Sequence, residues 1–346
     1  MEHSARAQEG DTAANGGTVD GAVRRVTSIF NSAVGAWAIA AAWEIGLLDE
    51  LKAAKEINVV EFAATHGLDA TSMVGLSRAL TAVEVVQREG TTIRVSTNFN
   101  ETYRTKSFFH WLTRGSAELF RQMPHSLVKR NRVGAYYQRD SAAIAYACRE
   151  INELCYDSTF WAAIERLGYD IRVVADLGCG SGGRLIDVLN RHPAARGIGI
   201  DLARPALDDA RRDAAAAGLA DQTSFFEADV LNLQLRPEFA DVDLVTCFMM
   251  GHDFWPKEQC VATLRRLREC FPSARRLLLG DATRVEGVAD TDLPIFVLGF
   301  ELGHDLMDIT LPTIADWEGV FEEGGWRLVR TNRIEMTVGE VIFELA

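Results

Sequence analysis

The chain has 346 residues, 48% hydrophobic and 25% charged, with 36 Lys plus Arg against 49 Asp plus Glu and a formal charge of -13. At roughly 150 residues per domain this is a little over two domains, and the composition excludes a small peptide module, a fibrous repeat and wholesale disorder. The negative balance repels phosphate backbones and anionic membranes, so no nucleic acid and no membrane are expected as partners.

The 6 cysteines form no Cys-x-x-Cys pair, and no basic-then-apolar leader opens the chain. Free thiols in a reducing cytoplasm are the expectation. The longest apolar stretch, residues 33–42, falls short of the ~20 residues a bilayer span needs.

Residues 1–20 are small and polar and predict a disordered tail. From Val23 a helical stripe begins, with Val26, Ile29, Phe30, Val34, Trp37, Ala38 and Ala41 at spacings of three and four. Further helical patterns cover 36–51, 59–66 and 70–85, and residues 86–95 alternate about Gly90 as a hairpin. Three helices and a hairpin is the winged-helix order, assigned to residues 21–105. A DNA reader would carry basic and amide side chains on the last of those helices, but Arg78 stands there alone.

Residues 106–165 read as linking helices rich in aromatics. From 166 to 346, short apolar runs at 173–177, 197–200, 223–226, 243–248 and 276–280 alternate with amphipathic stretches. That is an α/β pattern with a parallel sheet. Two closing strands, 326–329 and 340–345, have no helix between them, so a reversed last strand is expected.

Directly after the first run comes Asp176-Leu177-Gly178-Cys179-Gly180-Ser181-Gly182-Gly183. Glycines there let a ligand approach the backbone, and the helix start that follows favours negative groups. The spacing alone also fits a dinucleotide site. Three acids argue for a cationic ligand instead: Asp176 before the glycines, Asp201 after the second strand, placed for ribose hydroxyls, and Asp229 after the third.

With these residues the chain resembles the class I S-adenosylmethionine-dependent methyltransferases, a Rossmann-like sheet with a reversed last strand. With its N-terminal part it is similar to the small-molecule O-methyltransferases. The resemblance implies that Gly178, Gly180 and Gly182 bind the methionine part of S-adenosyl-L-methionine beside Asp176, Asp201 the ribose and Asp229 the adenine region, with Phe248 in the same site. It also implies a homodimer through the N-terminal domain.

The segment from Phe248 through Met249, Met250, Gly251, His252 and Asp253 to Pro256 follows the fourth strand, at the sheet edge where such folds bind ligands. In the O-methyltransferases the matching histidine is a general base. Here a second pair, His304-Asp305, follows the fifth strand on an apolar helical stretch. His252, His304 and Asp253 make a set of two histidines and one carboxylate suited to non-haem iron or another divalent transition metal.

That set, with Phe109-His110-Trp111-Leu112, Tyr137-Gln138-Arg139-Asp140 and Gly299-Phe300-Glu301-Leu302-Gly303-His304-Asp305, resembles the metal-dependent α-keto acid C-methyltransferases. The phenylpyruvate C(3)-methyltransferases of peptide-antibiotic biosynthesis are of this kind. The resemblance implies a metal on His252, Asp253 and His304 and methylation at C3 of a 2-oxo acid, phenylpyruvate or 4-methyl-2-oxovalerate, for a nonribosomal peptide antibiotic precursor. Chelation of the carboxylate and keto oxygen would stabilise the charge that develops on the enolate.

Arg139 is the expected partner of the substrate carboxylate, which it matches with two parallel donors. A salt bridge to Asp140 or Glu150 is the competing assignment. Trp111, Ser116, Met249 and Phe300 are expected pocket walls. A metal-free O-methyltransferase with His252 as general base is the alternative function, and a cofactor-sensing regulator a third.

Overall fold

The structure is a computed structural model that describes residues 13–334 and 339–346, with side chains from Asp20 onward. The chain forms two compact units that divide between Arg114 and Gly115. Residues 106–114 thus belong to the first unit and 115–165 to the second, so the linking helices are not a body of their own.

The first unit opens on α1, Ala13–Glu44. Residues 13–20, expected in a disordered tail, are helical; residues 1–12 of that expectation lie outside the described residues. Adding small residues such as Ala13 and Ala14 to an existing helix costs little compared with nucleating one. Continuous helix also makes Asp20–Glu44 long and apolar enough, by length and composition, to cross a bilayer. Its C-terminal half nevertheless packs into the protein through Ala38, Ile39, Ala42 and Trp43.

The helical pattern over 36–51 is broken at Gly46, whose φ of 76° is left-handed and turns the chain into α2, Leu47–Ala54. Then follow β1, Glu56–Asn58, α3, Val59–His66, and α4, Ala70–Ala82. Asn58 caps α3 by accepting from the Val60 amide, and Asp69 caps α4 by accepting from Ser72. The hairpin β2, Val86–Glu89, and β3, Thr92–Val95, pairs antiparallel, and β1 adds to the free edge of β3. Leu47, Leu51, Phe62, Leu80 and Ile93 fill the core beneath. Helices α5, Phe99–Arg104, and α6, Lys106–His110, complete the unit.

A π-helical turn, Trp111–Gly115, precedes α7, Ala117–Arg121, α8, Met123–Ser126, and the long α9, Ser141–Glu165. The second unit then alternates β4, Val173–Leu177, α10, Gly183–Arg191, β5, Arg196–Asp201, α11, Arg204–Ala216, β6, Thr223–Glu227, β7, Leu244–Phe248, α12, Lys257–Cys270, and β8, Arg276–Ala282. It ends with α13, Val297–Met307, α14, Ile314–Glu318, β9, Leu328–Arg333, and β10, Glu340–Leu345.

The seven strands lie in the order β6-β5-β4-β7-β8-β10-β9. Pairing is parallel from β6 to β8, and β10 runs antiparallel between β8 and β9. The expected α/β class I methyltransferase sheet, Rossmann-like with a reversed last strand, is therefore present. The strand order reverses at β4, which places its C-terminal end, with those of β5 and β7, at the switch point where open α/β sheets bind ligands.

Candidate active site

The central strand β4 carries Asp176 one residue before its end, a buried carboxylate that accepts from the Thr246 hydroxyl of β7 at 2.6 Å. Burial pushes its pKa up to about 6, against the lowering effect of Thr246 and of the nearby Arg184 guanidinium. The chain then turns through Gly178, Gly180 and Gly182, at φ of 66°, 53° and 75°. A Cβ on Gly178 would come within 2.7 Å of the Met250 sulfur, so only glycine lets the loop lie against the next one.

Asp201, the last residue of β5, accepts from the Gly180 amide at 2.8 Å and from the Ala203 amide at 2.8 Å, tying the glycine turn to the second strand. Asp229 follows β6 and accepts from the Leu231 amide. A cavity of about 1080 Å³ opens at these strand ends, with Asp176, Gly178, Gly180, Asp201, Asp229, Phe248, Met249 and Asp253 on its walls. Gly182 does not line it: the residue is the N-cap of α10, and a Cβ there would fall 3.1 Å from that of Ala210.

Arg184 also lines this cavity, and sequence reasoning passed over it. Its guanidinium lies over the Phe248 ring at 3.8 Å and the Phe160 ring at 4.6 Å, and it donates to Asn152. One Phe248 face is thereby occupied by a protein cation. Met249 stands in the left-handed region at φ 54° and its sulfur accepts from the buried Tyr156 hydroxyl.

Next to this wall, a single helical turn, Gly251–Phe254, carries His252. Its Nδ1 donates to Asp281 Oδ1 at 2.7 Å, and Asp281 is fully buried near the end of β8. Burial opposes the imidazolium, but the Asp281 charge and hydrogen bond outweigh it and leave the His252 pKa above its ordinary value. His304 on α13 donates Nδ1–H to the Phe300 carbonyl at 2.7 Å. Burial, then the neighbouring His252, holds its pKa well below the ordinary range, so it is neutral.

The two imidazoles stand 5.0 Å apart, centroid to centroid, at an interplanar angle of 90°. Because each Nδ1 donates, each neutral ring carries its lone pair on Nε2. Phe300 packs 4.1 Å from His304 and 6.0 Å from His252. Arg139 acts electrostatically on His252, Asp253 and His304, and its Nη1 lies 3.6 Å from the Met307 sulfur. The region where an anionic acceptor was expected thus holds the half-buried Arg139 cation and the Nε2 atoms of two imidazoles.

The expected three-residue metal set is not assembled. Among the described residues no three His, Cys, Asp or Glu side chains stand together as a metal-holding group. His252 and His304 meet, whereas Asp253 lines the cavity at the strand ends. The turn is 3-10 helical, so neighbouring residues point about 120° apart, which separates Asp253 from the imidazole beside it in sequence. Ser116 is buried at the start of α7 with its hydroxyl unpartnered among the described residues, and Trp111 is buried near the end of the first unit. Asp281 was missed although its signal was available: it is an acid near the end of an apolar strand, as Asp176 and Asp201 are.

Residues 174–271 match the family model described as a methyltransferase domain. Over 328 residues the chain is 52% identical to a protein named methyltransferase ungE' from Aspergillus campestris, covering 92% of this chain and 96% of the relative. It is 28% identical over 314 residues to an indolepyruvate C-methyltransferase of Streptomyces griseus, covering 89% and 90%. In fold it is similar to mitomycin 7-O-methyltransferase, with TM-score 0.64 and 19% identity over 95% of this chain and 98% of the other. It is also similar to a calicheamicin-biosynthesis methyltransferase in its SAH-bound form, with TM-score 0.62 and 20% identity over 94% and 98%. The chain belongs to the S-adenosylmethionine-dependent methyltransferases.

Proposed function

We propose that the enzyme transfers the methyl group of S-adenosylmethionine to C3 of a 2-oxo acid. The observation that carries this reading is the pair of imidazoles, His252 and His304, presenting Nε2 lone pairs within the electrostatic reach of Arg139. One relative acts, by its name, on indolepyruvate, itself an aryl 2-oxo acid. Arg139 would hold the substrate carboxylate. His252 Nε2, backed by Asp281, would take the C3 proton, and the resulting enolate carbon would attack the sulfonium methyl in line. The C–S bond breaks with its electron pair staying on sulfur, giving S-adenosylhomocysteine. Positive sulfonium and negative enolate cancel in this step, which a dry pocket favours.

In place of that base role, the same Nε2 atoms of His252 and His304 fit two positions of a divalent metal site, each ring with its Nδ1 held by a carboxylate or carbonyl as ligating histidines are. Such an ion, when bound, would stabilise charge on the enolate oxygen. The product, a 3-methyl-2-oxo acid, would suit a β-methyl amino acid precursor of a peptide antibiotic.

A homodimer through the first unit is part of the same proposal. It is supported by the α1 stripe, where Ile29 and Phe30 are 71% and 70% exposed alongside Val26, Val34 and Trp37.

The testing experiment incubates the enzyme with S-adenosylmethionine and phenylpyruvate, indolepyruvate or 4-methyl-2-oxovalerate, with and without chelator, and reads the product by NMR. A new methyl on C3 is expected. A second reading, O-methylation of a hydroxyl, is favoured by the His252–Asp281 pair, which resembles an oriented general base. It predicts a methyl on oxygen, and turnover that survives His304→Ala but not His252→Ala.

A further inference from the structure

We propose that Arg284 is a positioning residue that fixes His304 against His252 by clamping α13 to the end of β8. The clamp has three parts. Arg284 Nη1 donates to Glu301 at 3.2 Å, its Nη2 donates to Asp305 at 2.5 Å, and the neighbouring Val285 amide donates to the other Glu301 oxygen at 2.8 Å. The backbone amide of Arg284 is itself held by the Pro312 carbonyl at 3.0 Å.

Phe300 and His304 are four residues apart on α13 and share one face; Glu301 and Asp305 are each one residue later and share the adjacent face. The same strand end therefore reaches both imidazoles. Asp281 holds His252 directly, and three residues on Arg284 holds the helix that carries His304.

The other directional contacts of α13 lie at its C-terminal end, where the Tyr136 hydroxyl donates to the Leu306 carbonyl at 3.1 Å and Arg139 Nη1 lies 3.6 Å from the Met307 sulfur. Leu306 and Met307 also pack with Leu119 of α7, an apolar contact without direction. Both helix ends stand at positive φ, Phe296 at 81° and Asp308 at 63°, so neither flanking segment continues the helix. A rotation of about 20° swings a side-chain tip at a radius of ~5–6 Å by about 2 Å, and misplacement on this scale costs a reaction roughly a hundredfold.

This inference rests on the proposed use of the two imidazoles, but its test separates the two ideas. The ring signals of 13C-labelled histidine would be followed in Arg284→Ala, Arg284→Lys and Asp305→Asn, together with the dissociation constant for S-adenosylmethionine and kcat and KM for methyl transfer. Arg284→Ala is expected to shift the His304 ring signal, lower kcat at least about tenfold with less change in KM, and leave cofactor affinity within about twofold. Arg284→Lys should recover part of kcat. Asp305→Asn removes a half-exposed partner and should move the same signal even where Arg284→Ala does not fold. A His304 signal unmoved in every folded variant overturns the clamp. If the parent enzyme methylates no 2-oxo acid but the signal moves, the functional reading fails and the clamp stands.

Discussion

His252 Nδ1 lies 2.7 Å from Asp281 Oδ1, a hydrogen bond between two buried side chains brought together from β8 and the turn after β7. Asp281 fixes which nitrogen of His252 carries the proton and keeps the pKa of the ring above its ordinary value. Asp281→Asn is therefore expected to lower kcat by roughly a hundredfold and to move the acid limb of the pH–rate profile to lower pH. That sign follows because His252 must be neutral to accept a proton, and without the Asp281 charge it loses its proton at lower pH. An unchanged acid limb in the variant would refute this role.

Asp176 is expected to make cofactor binding depend on pH in a different range. Its carboxyl is raised to about 6 by burial, so folding favours the protonated form and the apoprotein loses stability as pH rises toward that value. A cationic cofactor needs the ionised form. Affinity for S-adenosylmethionine, measured by calorimetry, should therefore rise with pH up to about 6 and then level, falling by up to ~10-fold per pH unit below it. Asp176→Asn should bind weakly and lose this dependence.

Gly280 of β8 offers a steric prediction. A Cβ there would fall 2.2 Å from the Phe248 ring, which crosses over this strand and bears the Arg184 guanidinium on its face. Gly280→Ala should cost about 1–3 kcal/mol of stability and disturb the cavity wall, so both the thermal midpoint and the affinity for S-adenosylmethionine should drop. Gly75→Ala, inside α4 where a Cβ meets nothing within 4 Å, is the control and should leave the affinity unchanged and the thermal midpoint no lower than the parent's.

The cofactor half of the site was legible because its residues are close in sequence. Asp176 and the three glycines stand in one strand-turn-helix run, and Asp201 near the end of the next apolar run repeats the signal of the first. The acceptor half was legible only in part. His252 and His304 could be paired through their similar His-Asp contexts, but the same contexts suggested Asp253 as a ligand, and helical geometry turns it toward the cavity at the strand ends. Arg184 and Arg284 carried no local signal. An isolated arginine reads as surface until the fold shows Phe248 beneath one and Glu301 and Asp305 around the other.

The exposed stripe on α1 yields the last prediction. Val26, Phe30, Val34 and Trp37 lie at spacings of four, four and three, so they share one helix face, and all are exposed. Leaving this much apolar surface in water is costly at ~25 cal/mol per Å², and a second copy offering the same stripe would cover it with twofold symmetry. The parent protein is expected to sediment as a dimer. Phe30→Asp would place a charge in the middle of the stripe and should give a monomer whose far-UV circular dichroism is unchanged, because the side chain is 70% exposed and contributes little to its own unit. A parent protein that sediments as a monomer at micromolar concentration would refute the assignment, as would a Phe30→Asp variant that remains fully dimeric.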